Sequence, residues 1–246
     1  MSVSVTFVGS GDSFGSGGRF NTCILVDAPG IRFCLDFGAS SLIALERLGI
    51  PHNTIDVILL THLHGDHCGG IPFLLVDAML AAKRDRPLTI AGPKDTTQRL
   101  KSLAAALMPG MEVMVPKFPV SYIDLPLQQD MKIGLLQVTT YPAVHTSETN
   151  PTSIRVKVSD KVIAYTGDSE WTRQMPVLAD GADLFIAECY FFKKPVRFHL
   201  NYPDIAMHRQ EIRAKRMVLT HLSREMLANL ASVPEECAHD GLVIQI

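Results

Sequence analysis

Apolar residues fall in short runs along this chain, several of them alternating with polar positions, and most runs are closed by Gly, Asp, Thr or His. That spacing predicts strands at 3–8, 23–27, 32–36, 57–60 and 88–91. Further strands are predicted at 112–115, 133–140, 153–158, 161–165, 184–188, 216–219 and 242–246. The apolar spacing changes to a helical period at 71–82, 95–107, 203–215 and 224–231. Strands alternating with helices argue for a layered α/β fold. No internal linker or low-complexity tract breaks the pattern, and 246 residues with 47% apolar content can bury a sizeable core. One domain over 1–246 is therefore expected.

The run that closes at Leu60 leads directly into Thr61-His62-Leu63-His64-Gly65-Asp66-His67, which places three of the nine histidines and a carboxylate in one turn. Neutral imidazole and carboxylate suit zinc, and also iron or manganese. The spacing lets His62 and His64 face one ion while Asp66 and His67 face a second. Four ligands cannot complete two metal shells, so more His and Asp should stand at other strand ends. They do: His145 follows the 133–140 strand, Asp168 the 161–165 strand and His221 the 216–219 strand.

Charge and targeting signals narrow the field. A formal charge of -2 leaves no basic surplus, which argues against an extended nucleic-acid surface. The first residues lack a basic region and a long apolar core and read as a strand, and no run reaches membrane-spanning length. A cytoplasmic setting is the default expectation. The five cysteines are scattered without a C-x-x-C pair and read as core or reduced thiols. After the first strand, the glycine-rich stretch 9–21 permits close approach of backbone N–H groups to an anion, or forms a plain turn.

The ordered set His62, His64, Asp66, His67, His145, Asp168 and His221 resembles the metallo-beta-lactamase fold hydrolases, and the resemblance covers nearly the whole chain. It implies a four-layer αββα sandwich with ligands along one sheet edge. It assigns His62, His64 and His145 to one divalent ion and Asp66, His67 and His221 to another, with Asp168 bridging. Two ions are implied, zinc foremost, with manganese or iron as alternatives. The stretch from Ala187-Glu188-Cys189-Tyr190 through Arg197-Phe198-His199 is similar to the branch holding ribonuclease Z and small cyclic-phosphate phosphodiesterases. That branch implies an extra catalytic histidine, His199, oriented by Glu188 and able to protonate a leaving alkoxide. Asp66 would orient the nucleophile, and Thr61 or Thr220 would support the ligands. In ribonuclease Z-like members the glycine-rich loop borders the cleft, which makes Arg19 a candidate phosphate contact. Such relatives commonly pair through the helix at 71–82, so a homodimer is expected.

The chain departs from both branch members. No arm-like insert stands between Gly92 and His145, and only Cys23 and Cys34 are available where the phosphonate-pathway enzyme carries a zinc-binding cysteine cluster. The expectation is a metal-dependent phosphodiesterase acting on a small phosphodiester or short oligonucleotide. A ribonuclease Z-type tRNA 3′ endonuclease is the first alternative. The second is another use of the scaffold, on a lactone, thioester or beta-lactam, or as a one-iron sulfur oxidase.

Overall fold

In the computed structural model residues 2–246 are described, so only Met1 of the expected 1–246 domain lies outside them. The first half carries strands β1 (Ser4–Gly9), β2 (Cys23–Ala28), β3 (Ile31–Leu35), β4 (Val57–Leu59), β5 (Leu88–Gly92) and β6 (Val120–Asp124). Its helices are α1 (Ser41–Arg47), α2 (Gly65–Cys68), α3 (Ile71–Leu80) and α4 (Thr96–Leu107). The second half carries β7 (Met131–Ile133), β8 (Leu136–Pro142), β9 (Thr152–Val158), β10 (Lys161–Tyr165), β11 (Leu184–Glu188), β12 (Met217–Thr220), β13 (Glu236–Cys237) and β14 (Val243–Gln245). Helices α5 (Met175–Ala179), α6 (Tyr202–His208) and α7 (Arg224–Ala228) belong to this half.

The strands form two seven-stranded sheets, ordered β14-β1-β2-β3-β4-β5-β6 and β13-β12-β11-β10-β9-β8-β7. Neighbours from β3 to β6 and from β10 to β13 run parallel, so helical crossovers join most of them. The two-residue pleat period sorts side chains between layers. Val5, Phe7, Ile24, Val26, Phe33, Leu35 and Leu59 meet Val138, Ile154, Val156, Ile163 and Ile186 in a fully buried layer between the sheets. The intervening residues Leu25, Cys34, Ile58 and Ile90 face outward onto Leu45 of α1, Leu74 of α3 and Leu100 of α4. Ala164, Phe185, Ala187 and Leu219 do the same against α5, α6 and α7. The result is the αββα sandwich.

Several elements differ from the sequence expectation. Residues 112–115 are not a strand: Met111–Val113 form a 3-10 turn, and the sheet edge is β6 instead. The run 133–140 is split, because Gly134 takes a positive φ of 57° and turns β7 back onto β8 as a hairpin. The helix expected over 203–215 stops at His208 and passes into a 3-10 turn at Arg209–Glu211, after which Ile212 is buried. Helices α1 and α5 and the two-residue β13 are additions.

Strand polarity decides where the chemistry gathers. Asp36 follows β3, the His62 segment follows β4, His145 follows β8 and Asp168 follows β10; Glu188 ends β11 and His221 follows β12. Because β3, β4, β10, β11 and β12 are members of the parallel stretches, their carboxyl ends open on one edge, where ligands bind in α/β folds.

Candidate metal centre

His64 stands at the N-terminal boundary of the short helix α2, which projects Asp66 and His67 from its first turn while His62 remains in extended chain before it. The approach of this turn to the loop after β3 requires a bare backbone at Gly38. A Cβ there would lie 2.1 Å from Asp66 O and 2.6 Å from Asn21 Cβ. Phe37 N donates to His67 O at 2.7 Å, and Gly70 N donates back to Phe37 O at 3.1 Å.

The structure brings together all seven residues expected to bind metal. His62, His64 and His145 form one donor group, and Asp66, His67, Asp168 and His221 form another; within each group the donor atoms lie within 4.8 Å of one another. In the first group, His64 Nδ1 is 3.2 Å from His62 Nε2 and 3.1 Å from His145 Nε2. A tetrahedral ion with bonds near 2.0–2.1 Å sets its nitrogen ligands about 3.3 Å apart. In the second group, His67 Nε2 is 3.2 Å from Asp168 Oδ1 and 3.4 Å from Asp66 Oδ2, and His221 Nε2 is 3.3 Å from Asp168 Oδ2. Asp168 Oδ2 also lies 3.9 Å from His62 Nε2, which puts this carboxylate between the groups.

These donors fit cations on two further counts. His67 Nε2 and Asp168 Oδ1 are buried atoms without a hydrogen-bond partner, a costly arrangement unless a ligand completes it. Burial disfavours a proton on His67, yet the carboxylates of Asp168, Asp66 and Asp36 outweigh burial and draw positive charge to the ring. Burial likewise opposes ionisation of Asp168, but His221 and His67 hold its carboxyl well below the usual range. Desolvation keeps His62, His64 and His145 below the ordinary histidine value, so each offers a lone pair near neutral pH.

Outer partners fix the rings. His67 Nδ1 donates to Asp36 Oδ2 at 2.7 Å, and His145 Nδ1 donates to Phe198 O at 2.7 Å, which leaves each Nε2 facing the cluster. Asp36 also accepts from Thr61 N at 2.8 Å and from Thr61 Oγ1, whose oxygen lies 3.1 Å from His62 Nδ1. Thr22 Oγ1 lies 3.3 Å from His221 Nδ1. Asp36 and His221 both hold φ at 59°, a sparsely populated conformation that costs about 1–3 kcal/mol and is typical of functional sites. Asp36 is an addition to the sequence reading. Its signal was present, since it closes the 32–36 run as the ligands close theirs. Asp36→Asn should weaken metal affinity about 10- to 100-fold, read by chelator competition against the parent.

His199 stands beside the cluster. Its Nδ1 is 2.8 Å from Glu188 Oε2 and 3.9 Å from Asp168 Oδ2. Glu188 is fully buried, and its other oxygen accepts from Ser169 N, so both oxygens are engaged in orientation. Burial works against a proton on His199, but Glu188 more than offsets it and pushes the ring up to about 9. Tyr190 stacks on the His199 ring at 4.7 Å.

Around the glycine-rich loop, backbone donors turn inward. Asp12 Oδ1 accepts from Phe14 N at 3.1 Å and Ser16 N at 2.9 Å, so the carboxylate of Asp12 fills the concavity that an external anion would take. Ser13 Oγ donates to Asp66 Oδ2 at 2.5 Å. Arg19 Nη1 donates to Ala238 O at 2.6 Å, and Ser10 O accepts from His221 N at 3.1 Å, which ties the loop to the last ligand. Thr220 supports the same carbonyl at 3.3 Å.

Two facing mixed sheets with His and Asp donors collected at one strand-end edge are the metallo-beta-lactamase fold with a candidate metal centre at its open edge. The comparisons then fix the family. Over residues 3–239 the chain matches the model of the Anti-Pycsar protein Apyc1 family, and it belongs to that family. A ribonuclease Z of Clostridium novyi is 30% identical over 129 residues, 52% of this chain and 39% of that protein, so the chain spans well under half of that relative's length. The Bacillus subtilis metallo-beta-lactamase fold protein YhfI superposes with a TM-score of 0.80 at 21% identity, covering 100% of this chain and 99% of that one. A diphosphatase of the PhnP family gives 0.81 at 19% identity, with 99% and 98% covered. At these identities the two structures share the fold.

Proposed function

We propose that this protein is a dinuclear metal phosphodiesterase acting on a small phosphodiester or short oligonucleotide. The observation that carries this reading is the His199–Glu188 pair standing 3.9 Å from the carboxylate between the two donor groups. A phosphodiester needs its leaving alkoxide protonated, and a histidine held by a buried carboxylate supplies that proton near neutral pH. A thioester expels a thiolate that departs without such a proton, whereas a lactone alkoxide and a beta-lactam nitrogen also take one up, so the substrate panel below separates these classes.

In this reading His62, His64 and His145 would hold one divalent ion, Asp66, His67 and His221 would hold the second, and Asp168 would serve both. Zinc is foremost, with manganese or iron as alternatives. When bound, the ions supply an activated water and neutralise charge on the phosphate. Asp66, steadied by Ser13, accepts the proton of the nucleophile and orients it. His199 donates to the departing oxygen, and Glu188 keeps the imidazole turned toward it. Arg19, whose Nη1 donates to Ala238 O, is the proposed phosphate contact. A single 1–246 domain and a cytoplasmic setting belong to the same reading, and no helix among the described residues is long and apolar enough to cross a membrane.

Ribonuclease Z activity is the second reading, favoured by the match to ribonuclease Z over half of this chain. Between Gly92 and His145, where a tRNA-gripping arm could be inserted, the described residues hold α4, a 3-10 turn and the sheet strands β6, β7 and β8. The deciding experiment is a panel of bis-p-nitrophenyl phosphate, a lactone, a thioester and a precursor tRNA. Turnover of the diester above the others supports the proposal. Preference for the lactone or thioester overturns it, and preference for precursor tRNA establishes the second reading.

A homodimer through α3 is part of the proposal. Ile71, Leu74 and Ala78 are buried, but Phe73 is 38% and Leu80 60% exposed, and a groove of about 330 Å³ opens between α3 and α4. An apolar helix with an uncovered side is best buried by a second copy. Sedimentation at micromolar concentration should give a dimer; a monomer alone would remove this part.

A further inference from the structure

The loop after β10 carries a carboxylate with no place in the donor groups or in the His199–Glu188 pair. Asp168 and Ser169 are followed by half-buried Glu170, whose Oε1 accepts from Phe198 N at 2.7 Å. The backbone there is unusual. Phe198 holds φ at 70°, in the left-handed region that bulky side chains rarely enter, so bonds from outside its own segment must keep it there. Two do. Its N–H goes to Glu170, and its carbonyl oxygen accepts from His145 Nδ1 at 2.7 Å.

This one peptide therefore reaches both halves of the chemistry. On one side its carbonyl turns His145 so that Nε2 lies 3.1 Å from His64 Nδ1 in the three-histidine group. On the other side the next residue is His199, whose ring meets the His145 ring edge to face at 5.0 Å. Rotating the Phe198 peptide would move both rings.

Glu170 is itself anchored on the strand end that precedes His145. Its N–H donates to Val144 O at 2.9 Å, and its carbonyl oxygen accepts from Ser169 Oγ at 2.7 Å. Val144 N donates back to Ser169 Oγ at 2.9 Å, and Ser169 N donates to Glu188. One residue further on, Trp171 stacks on His208 at 4.1 Å and 6°, at the far end of α6. Consecutive residues thus hold both ends of the segment that carries His199. Such a frame adds no ligand and orients those already present.

We propose that Glu170 is a positioning residue that locks the Phe198 peptide and thereby sets the metal ligand His145 and the proton donor His199 relative to each other. This rests on the phosphodiesterase reading only where turnover is measured. The working feature is the accepting oxygen Oε1, which glutamine keeps and alanine removes.

The test compares the zinc-loaded parent with Glu170→Ala and Glu170→Gln. Chelator competition should show one of the bound zinc equivalents held about tenfold more weakly in Glu170→Ala and near the parent level in Glu170→Gln. At saturating zinc, kcat on an alkyl diester should fall about tenfold in Glu170→Ala with KM little changed, because Glu170 does not touch the substrate. The loss should be smaller on bis-p-nitrophenyl phosphate, whose leaving group needs no proton. Amide hydrogen exchange needs no turnover: the Phe198 N–H should be protected in the parent and in Glu170→Gln, and should exchange about tenfold faster in Glu170→Ala. A Phe198 amide that exchanges freely in the parent, zinc affinity unchanged in Glu170→Ala, or a Glu170→Gln as impaired as Glu170→Ala overturns the role. Should the parent turn over no diester, the phosphodiesterase reading falls alone, and zinc affinity with amide exchange still decides the positioning role.

Discussion

Asp168→Ala should lose at least one metal equivalent per chain and show no turnover on any phosphodiester, whether its leaving group is good or poor. Asp168 is the one carboxylate that faces both donor groups, with Oδ1 at 3.2 Å from His67 and Oδ2 at 3.3 Å from His221 and 3.9 Å from His62. In the proposed assignment its removal would take a shared ligand from each ion, and the three residues left to each would no longer hold the pair at the spacing a displacement at phosphorus needs. Metal content by elemental analysis, with rates on bis-p-nitrophenyl phosphate and an alkyl ester, checks it. Circular dichroism on the same samples separates metal loss from unfolding. Full metal content in Asp168→Ala would remove the bridging assignment.

His199→Ala should behave in the opposite way, keeping metal near the parent level while turnover of an alkyl diester falls about 10²- to 10⁴-fold. The loss should shrink on p-nitrophenyl esters, because p-nitrophenolate departs without protonation. The expectation follows from the distances: His199 is 2.8 Å from Glu188 but 3.9 Å from Asp168, so its nearest partner is the orienting carboxylate and not a metal ligand. If metal is lost as in Asp168→Ala, the acid role is wrong. Equal losses on both esters with metal retained would reduce His199 to charge stabilisation or positioning.

How much of this was legible in the chain follows from what a periodic pattern encodes. Alternation fixes where strands end, and in a sandwich with parallel stretches the ends are where ligands stand. His62, His64, Asp66, His67, His145, Asp168 and His221 could therefore be read as one set before any contact was known. Asp36 closes its strand in the same way. Its partnership with His67 at 2.7 Å arises only because β3 and β4 pair in parallel, a tertiary fact that no local window contains. Val113 and Val115 look like strand residues, but Gly110 at a φ of 92° leads into the 3-10 turn Met111–Val113, and both valines remain exposed. The true edge strand, Val120–Asp124, follows two prolines and pairs with β5 through its backbone, which hydropathy does not report. Glu170 reads in sequence as a polar residue within a loop. Its bond to Phe198 depends on two loops 28 positions apart lying on one edge.

The central claim is that two bound ions and this donor set together hydrolyse a phosphodiester. It is tested most directly by chelating the protein, returning zinc or manganese in measured equivalents, and following both bound metal and the initial rate on bis-p-nitrophenyl phosphate. The rate should be absent in the metal-free protein and should climb to a plateau at two ions bound per chain. A plateau at one ion, or full activity in the metal-free protein, would contradict the account.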